Sequence, residues 1–336
     1  MFTLLSAARC GYSYRFPPPG GAPAWTGRNQ PDSRTGPMPT KVALDELRRE
    51  IDRIDDQIHD LIVERAALAG RVASAKGPKA GPAGTMWRPQ REAQILRRLM
   101  ARHRGRFPRA ALVRIWREIM SAMLTLEGRF AIAVCAPAGR AAGQSPGPSG
   151  VQPDYRELAR DHFGAIAPIT TYQAAGAVMR AVTDDPHIVG VLPWPRDEDR
   201  DPWWRHLLGG DGPRIVARLP AVGGDPGSSA LAVARAAVEP TGDDRSFLGI
   251  ETGDAISRTR LLSCLTAAGC DVGFVATDRE RPEPPVDLHL VEVAGYVGAG
   301  DRKLAAIREA APDAIRRVVW LGSHAVPLDA DDSENT

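Results

Sequence analysis

The chain has 336 residues, a formal net charge of +2 and a hydrophobic share of 43%. That length suits two or three globular domains at roughly 100–200 residues each. The near-neutral balance gives no electrostatic case for a nucleic-acid or membrane-surface partner. No apolar run reaches the ~18 residues of a membrane span. The four cysteines, Cys10, Cys135, Cys264 and Cys270, lack CxxC or CxxH spacing. The expectation is therefore no metal, no cofactor, no disulfide framework and a reducing cytoplasm.

Residues 1–40 are rich in Gly, Pro and Arg and carry no apolar stretch behind a basic start. They read either as a disordered tail or as a stretch ahead of a true start at Met38. Residues 41–128 are helical throughout. In the first helix the apolar positions Leu44, Leu47, Ile51, Ile54, Ile58, Leu61, Leu68, Val72 and Ala75 alternate by three and four, a heptad seam. Gly77-Pro78 ends it. A helix of about 30 residues is ~45 Å long and needs a long partner, another chain or a bundle. Position 65 should be apolar but is Arg65. A buried guanidinium is costly unless paired, so Arg65 either meets a carboxylate on a facing helix, snorkels past the core, or binds an anion.

The second helix opens at Arg88-Pro89, with the stripe Glu92, Ile95, Leu96, Leu99, His103. The third opens near Phe107-Pro108 and runs through Leu112, Ile115, Trp116, Ile119, Met120, Met123 and Leu124 to Glu127. His103 is read as a helix-end histidine. Arg65, Glu92 and Glu127 break apolar faces, and Lys76 and Arg91 lie close to them in sequence or on neighbouring faces. No serine, cysteine or histidine stands by as nucleophile or base. The set predicts a cationic pocket for a small dianion, working by binding and electrostatics.

The strings LDELRREIDRIDDQIHDLIVERAALAGRVASAK, RPQREAQILRRL and IWREIMSAMLTLE resemble the all-helical chorismate mutase family. The resemblance implies a helical-bundle domain over 41–128 that rearranges chorismate to prephenate. It implies that Arg48 reaches the pocket of a partner subunit in a homodimer. It assigns Arg65 and Arg91 to the substrate carboxylates, Lys76 to the ether oxygen and Glu92 to the ring hydroxyl. Arg88 falls where a family residue touches substrate through its backbone, and Glu127 where members carry glutamine or glutamate. Met123 departs from the small polar residue many members have. The chemistry asks for a clamped reactive conformer and a cation at the oxygen where charge grows. Glu127 is expected to be buried and to act as the neutral acid, since a carboxylate there would repel that charge. The loop 77–87, with Lys79, is read as a connection or a lid.

The order of the remaining blocks resembles the bifunctional P-protein of phenylalanine synthesis. Residues 130–245 resemble a prephenate dehydratase α/β region through FAIAVCAPAG, RELARDHFG, HIVGVLPWP and SSALAVARAAVEPTGDDRSFLGIE. The motifs depart from that family at Arg140, at Trp194-Pro195-Arg196 and at Arg245-Ser246-Phe247, where it has Thr-Arg-Phe. No dehydratase activity is expected. Residues 246–326 read β-α-β-β-α-β, a ferredoxin-like order resembling the amino-acid-binding ACT domain. Gly253-Asp254-Ala255-Ile256 and Arg281-Pro282 match its effector motifs only in part, so effector binding is either retained or lost. Residues 327–336 are expected to be a disordered tail. Two other readings stay open: an isochorismate pyruvate-lyase on the same helices, and a non-catalytic regulatory protein.

Overall fold

The computed structural model describes residues 41–76, 87–136, 153–197, 199, 202–253, 256–278 and 286–329. Expectations for residues 1–40, Lys79 and its loop, Arg140, Asp254-Ala255, Arg281-Pro282 and 330–336 lie outside them, as does the side chain of Lys76. The chain divides after Ile58 into two units.

Helix α1 spans Lys41–Lys76 and stops at the residue before Gly77-Pro78. Its first half, to Ile58, belongs to the first unit. The seam residues Leu44, Leu47, Ile51, Ile54, Ile58, Leu61 and Leu68 are 42–64% exposed. A heptad stripe left in water at this density has the pattern of a helix that packs against another helix.

The second unit, from His59 on, contains the remaining elements. Helices α2 (Pro89–Arg102) and α3 (Arg109–Glu127) begin where Pro89 and Pro108 predict. Then follow β1 (Ala131–Cys135), α4 (Tyr155–Phe163), β2 (Ile169–Tyr172), α5 (Ala175–Asp184) and β3 (Ile188–Pro193). After them come β4 (Arg214–Leu219), β5 (Ala230–Ala234), β6 (Asp244–Thr252) and α6 (Arg258–Ala267). Last are β7 (Val272–Asp278), β8 (Asp287–Ala294), α7 (Arg302–Glu309) and β9 (Ile315–Ala325). Short polar side chains start three helices. Asp154 accepts from the amides of Arg156 and Glu157, Ser257 from Arg260, and Asp301 from Lys303.

All strands among the described residues join one nine-stranded sheet in the order β2-β1-β3-β5-β4-β9-β6-β8-β7. Strand β1 runs parallel to β2 and β3, with α4 and α5 as the crossovers. Strand β5, an unbroken apolar ALAVA, is buried along its whole length, as a central strand must be. The strands at 244–325 pair antiparallel as β9-β6-β8-β7, so the predicted β-α-β-β-α-β order is present.

Two features depart from separate blocks. The sheet crosses the expected boundary at 245 through one parallel register pair, Ile215 with Gly322. The segment after β9 is also held: Leu328 forms a bridge with Val222, its amide donates to Ala221, and its carbonyl accepts from Gly223. The expected tail therefore starts later than 327.

Helices α2 and α3 pack against the sheet body and do not stand apart as a bundle. Trp87, just ahead of α2, is buried in a cluster with Phe130, Tyr155, Phe163 and Val216, its ring 5.0 Å from that of Phe163. The Gln90 amide donates to the carbonyls of Val216 on β4 and Ser323 on β9 at 3.3 and 3.5 Å. Arg97 donates to Val326 at 3.1 Å. The buried face of α3 is Val113, Arg117, Met120, Ser121, Met123 and Leu124. The predicted stripe is rotated from it, and Ile115 is 44% exposed. The reason is that α3 carries apolar residues on more than one face and the sheet body takes only one.

Gly322 sits at the junction with φ +139°, and a Cβ there would collide with the backbone of Ile215. Gly322→Ala should therefore destabilise by about 2 kcal/mol or more. Gly300→Ala, where an added Cβ meets nothing within 4 Å, is expected to be near neutral. Urea midpoints of the two variants check this.

Candidate functional site

The residues singled out from sequence divide by burial. Arg48, in the first unit, is exposed and pairs with Asp45 one turn earlier at 3.2 Å. Arg88 and Arg91 are exposed, and Arg65 and Glu127 are half-buried. Glu127 lies in the last turn of α3, outside its buried face. The burial of Glu127 is therefore partial, short of the enclosure expected.

Glu92 is the one sequence-selected charge that the second unit encloses. It sits in the first turn of α2, its side chain 12% exposed, and accepts from Nη1 of Arg117 on α3 at 2.7 Å. Burial pushes the Glu92 carboxyl above the usual carboxylate range, against the pull of Arg117, Trp87 and Arg65. Burial likewise draws Arg117 below the ordinary guanidinium value, against Glu92. Desolvation thus dominates both partners. Removing either one leaves the other as an uncompensated buried charge, a loss of about 3–5 kcal/mol.

Arg117 was not among the sequence-selected residues. It lies four residues after Val113 and three before Met120, on the face that proves to be buried. Its Nε is buried without a hydrogen-bond partner. Beside it, His162 on α4 is buried with neither ring nitrogen partnered among the described residues. Burial first, and the Arg117 charge second, hold His162 well below the usual histidine range, so it is neutral at pH 7.

Two cavities flank this pair. One, of about 360 Å³, is bounded by α3, α4 and Pro220–Val222. A smaller one lies towards α2, β4 and Ala325–Leu328. Arg117 and His162 line both, whereas Arg65, Arg88, Arg91, Glu92 and Glu127 line neither. Glu92 faces Arg117, while Arg88 and Arg91 are exposed.

A second cluster surrounds β6 and holds Trp194, Arg245 and Ser246, named from sequence as motif departures, together with Glu292 and His324, which were not singled out. Glu292 lies 3.7 Å from Arg245 and 3.3 Å from His324. Ser246 Oγ bonds the carbonyl of Gly295 and Ser323 Oγ, both at 2.8 Å, and accepts from the Val297 amide at 2.8 Å. Trp194 is buried with its ring 5.7 Å from Phe247 and 5.8 Å from Phe274. Here hydrogen bonding and packing are largely internal, the mark of a structural network. Among the described residues no group of His, Cys, Asp and Glu has the arrangement of a metal site, and no helix is long and apolar enough to cross a membrane.

The chorismate mutase type II family matches residues 47–128. A bifunctional chorismate mutase/prephenate dehydratase of Aquifex aeolicus is 42% identical over 98 residues, 28% of this chain and 26% of that protein. The Pseudomonas aeruginosa protein of the same name is 32% identical over 158 residues, 46% of this chain and 40% of that protein. The matches thus span well under half the length of these relatives. A prephenate dehydratase structure from Streptococcus mutans aligns with 59% of this chain and 99% of its own, at 14% identity and a TM-score of 0.41.

The neutral, buried His162 has a consequence for stability. Its folded-state proton affinity is depressed, so its contribution is present above the unfolded histidine range near 6.5 and is lost as pH falls below it. Glu92, raised from 4.5, has the opposite sign and loses its contribution as pH rises above that value. Unfolding free energy of the wild type minus that of His162→Phe cancels the Glu92 part. That difference is expected to shrink between pH 7.5 and 5.5 and to be measurable by urea titration at each pH.

Proposed function

We propose, from residues 47–128 being a chorismate mutase type II domain, that the protein rearranges chorismate to prephenate. The observation that carries the reading is the coincidence of that match with Glu92, a carboxylate opening α2 that the fold holds in place through Arg117 at 2.7 Å. In this reading Arg65 and Arg91 clamp the substrate carboxylates by bidentate pairing, with Arg88 alongside. Glu92 takes the ring hydroxyl. Lys76, the last residue of α1, meets the ether oxygen as its charge grows in the transition state. No covalent intermediate and no cofactor is required.

The open position of Arg88 and Arg91 and the exposed seam of α1 support a site completed by a second copy. Two α1 seams bury each other, and Arg48 reaches across into the partner's pocket. An isochorismate pyruvate-lyase would use the same residues, and product identity separates the two. The cytoplasm is the proposed location, where the buried thiols of Cys135, Cys264 and Cys270 stay reduced.

The sheet body is proposed to lack dehydratase activity. Arg245, Ser246 and Phe247 stand where that family has Thr-Arg-Phe. The tied Ser246 and the packed Trp194 support a structural use of those positions. The β9-β6-β8-β7 order of the last four strands supports an ACT-like module.

Loss of chorismate absorbance, with product identified by acid conversion to phenylpyruvate, tests the assignment. Lys76→Ala should lower the rate at least 100-fold, about 2.7 kcal/mol, with unchanged helical circular dichroism. A wild type that consumes no chorismate overturns the reading. Sedimentation should give a dimer, and an active monomer contradicts the shared site.

A further inference from the structure

The guanidinium of Arg117 is buried, 6% exposed, and only its Nη1 has a hydrogen-bond partner among the described residues. A guanidinium has five donors, and each one buried without an acceptor costs free energy. His162, 5% exposed, lies at the same wall with its two unpartnered ring nitrogens covered. Both side chains border the cavity of about 360 Å³, a size within the range of small-molecule sites. The rest of its wall is mainly apolar, with Val113 of α3, Leu158 of α4, Pro220 and Val222 among its residues. At its edge Arg114 and Asp161 pair with each other and leave that rim without net charge.

We propose that this cavity is a binding site for a small monocarboxylate with an apolar body, its carboxylate on the Arg117 guanidinium and its body between α3, α4 and Pro220–Val222. The unpartnered donors of Arg117 select an acceptor group, and the planar fork of a guanidinium matches a carboxylate. Glu92 already neutralises this arginine from the other side, so a single further negative charge is accommodated better than the two of a phosphate. The apolar wall then takes the body of the ligand out of water.

The site has a consequence for the proposed mutase, resting on the reading of Glu92 as a substrate ligand. A carboxylate in the cavity competes with Glu92 for one guanidinium. Burial already biases Glu92 towards its neutral acid, and loss of Arg117 as partner biases it further. Occupation of the cavity is therefore felt at Glu92 through Arg117 and changes KM for chorismate.

Calorimetry on the full chain tests the site without reference to activity. The probe is 3-phenylpropanoate, with 3-phenylpropanamide and inorganic phosphate as the uncharged and dianionic comparisons. Saturable heat is expected from the carboxylate alone. Ala111→Trp, which fills the cavity from its wall and leaves the ion pair untouched, should weaken binding about ten-fold or more, which is 1.4 kcal/mol. Ala111→Leu, which fills less of the cavity, should weaken it too, and it serves if the tryptophan variant does not fold. No saturable heat from the carboxylate, equal heat from the amide, or heat unchanged in the folded variants would overturn the proposal. Chorismate turnover is measured separately. Probe binding in a protein that consumes no chorismate leaves the site standing and removes the mutase reading. A KM unchanged under saturating probe removes the coupling.

Discussion

The ion pair between Glu92 and Arg117 is the constraint on which the helical half of the body depends. It joins the first turn of α2 to the middle of α3 at 2.7 Å, with both side chains nearly excluded from water. Isolated, either charge would be untenable in that setting. Together they fix the rotation of α2, and that rotation sends Gln90 and Arg97 to the backbone of β4, β9 and the segment beyond. It leaves Arg88 and Arg91 facing outward. Desolvation shifts both partners towards their neutral forms, so the pair is held by its surroundings as much as by its own attraction.

Much of this was written locally in the sequence. The heptad seam and Gly77-Pro78 define α1, and Pro89 and Pro108 place the starts of α2 and α3. The alternation of runs after residue 246 gives β6 to β9 with their helices, because each is set by nearby periodicity and by caps such as Ser257 and Asp301. Glu92 was visible as a charge opening an apolar face. Arg117 was not, although it falls on the Val113, Met120 and Leu124 spacing. An arginine in a helix with two apolar faces gives no local sign of which face is covered. His162 looked like one more residue at the end of a short helix. Its significance comes from Trp87, Phe163 and Arg117 around it, and two of these come from distant segments.

The union of the strands into one sheet was likewise not legible. Strand β4 meets β9 through a single register pair. Such a contact depends on a glycine that lets two backbones approach, and Gly322 does not differ in sequence from any turn glycine. The helices were read as a bundle because their apolar stripes seemed to call for one another. The buried cluster around Trp87 shows that the sheet covers part of that surface instead. What remains uncovered is the stripe of α1, the portion whose period was the most regular of all.

The Gln90 amide reaches β4 at 126 residues' separation and β9 at 233. Ribosomal synthesis delivers these segments in order, so α2 emerges long before its seat exists. Its Gln90 amide lacks the Ser323 carbonyl until β9 has left the exit tunnel. Contacts of such span are slow to form because chain-closure entropy must be overcome first. A ribosome stalled before residue 315 therefore yields a chain whose α1 can already form while α2 lacks its β9 anchor. The seat of α2 is thus completed by a strand far downstream of it, though the proposed chemistry lies in α1 to α3.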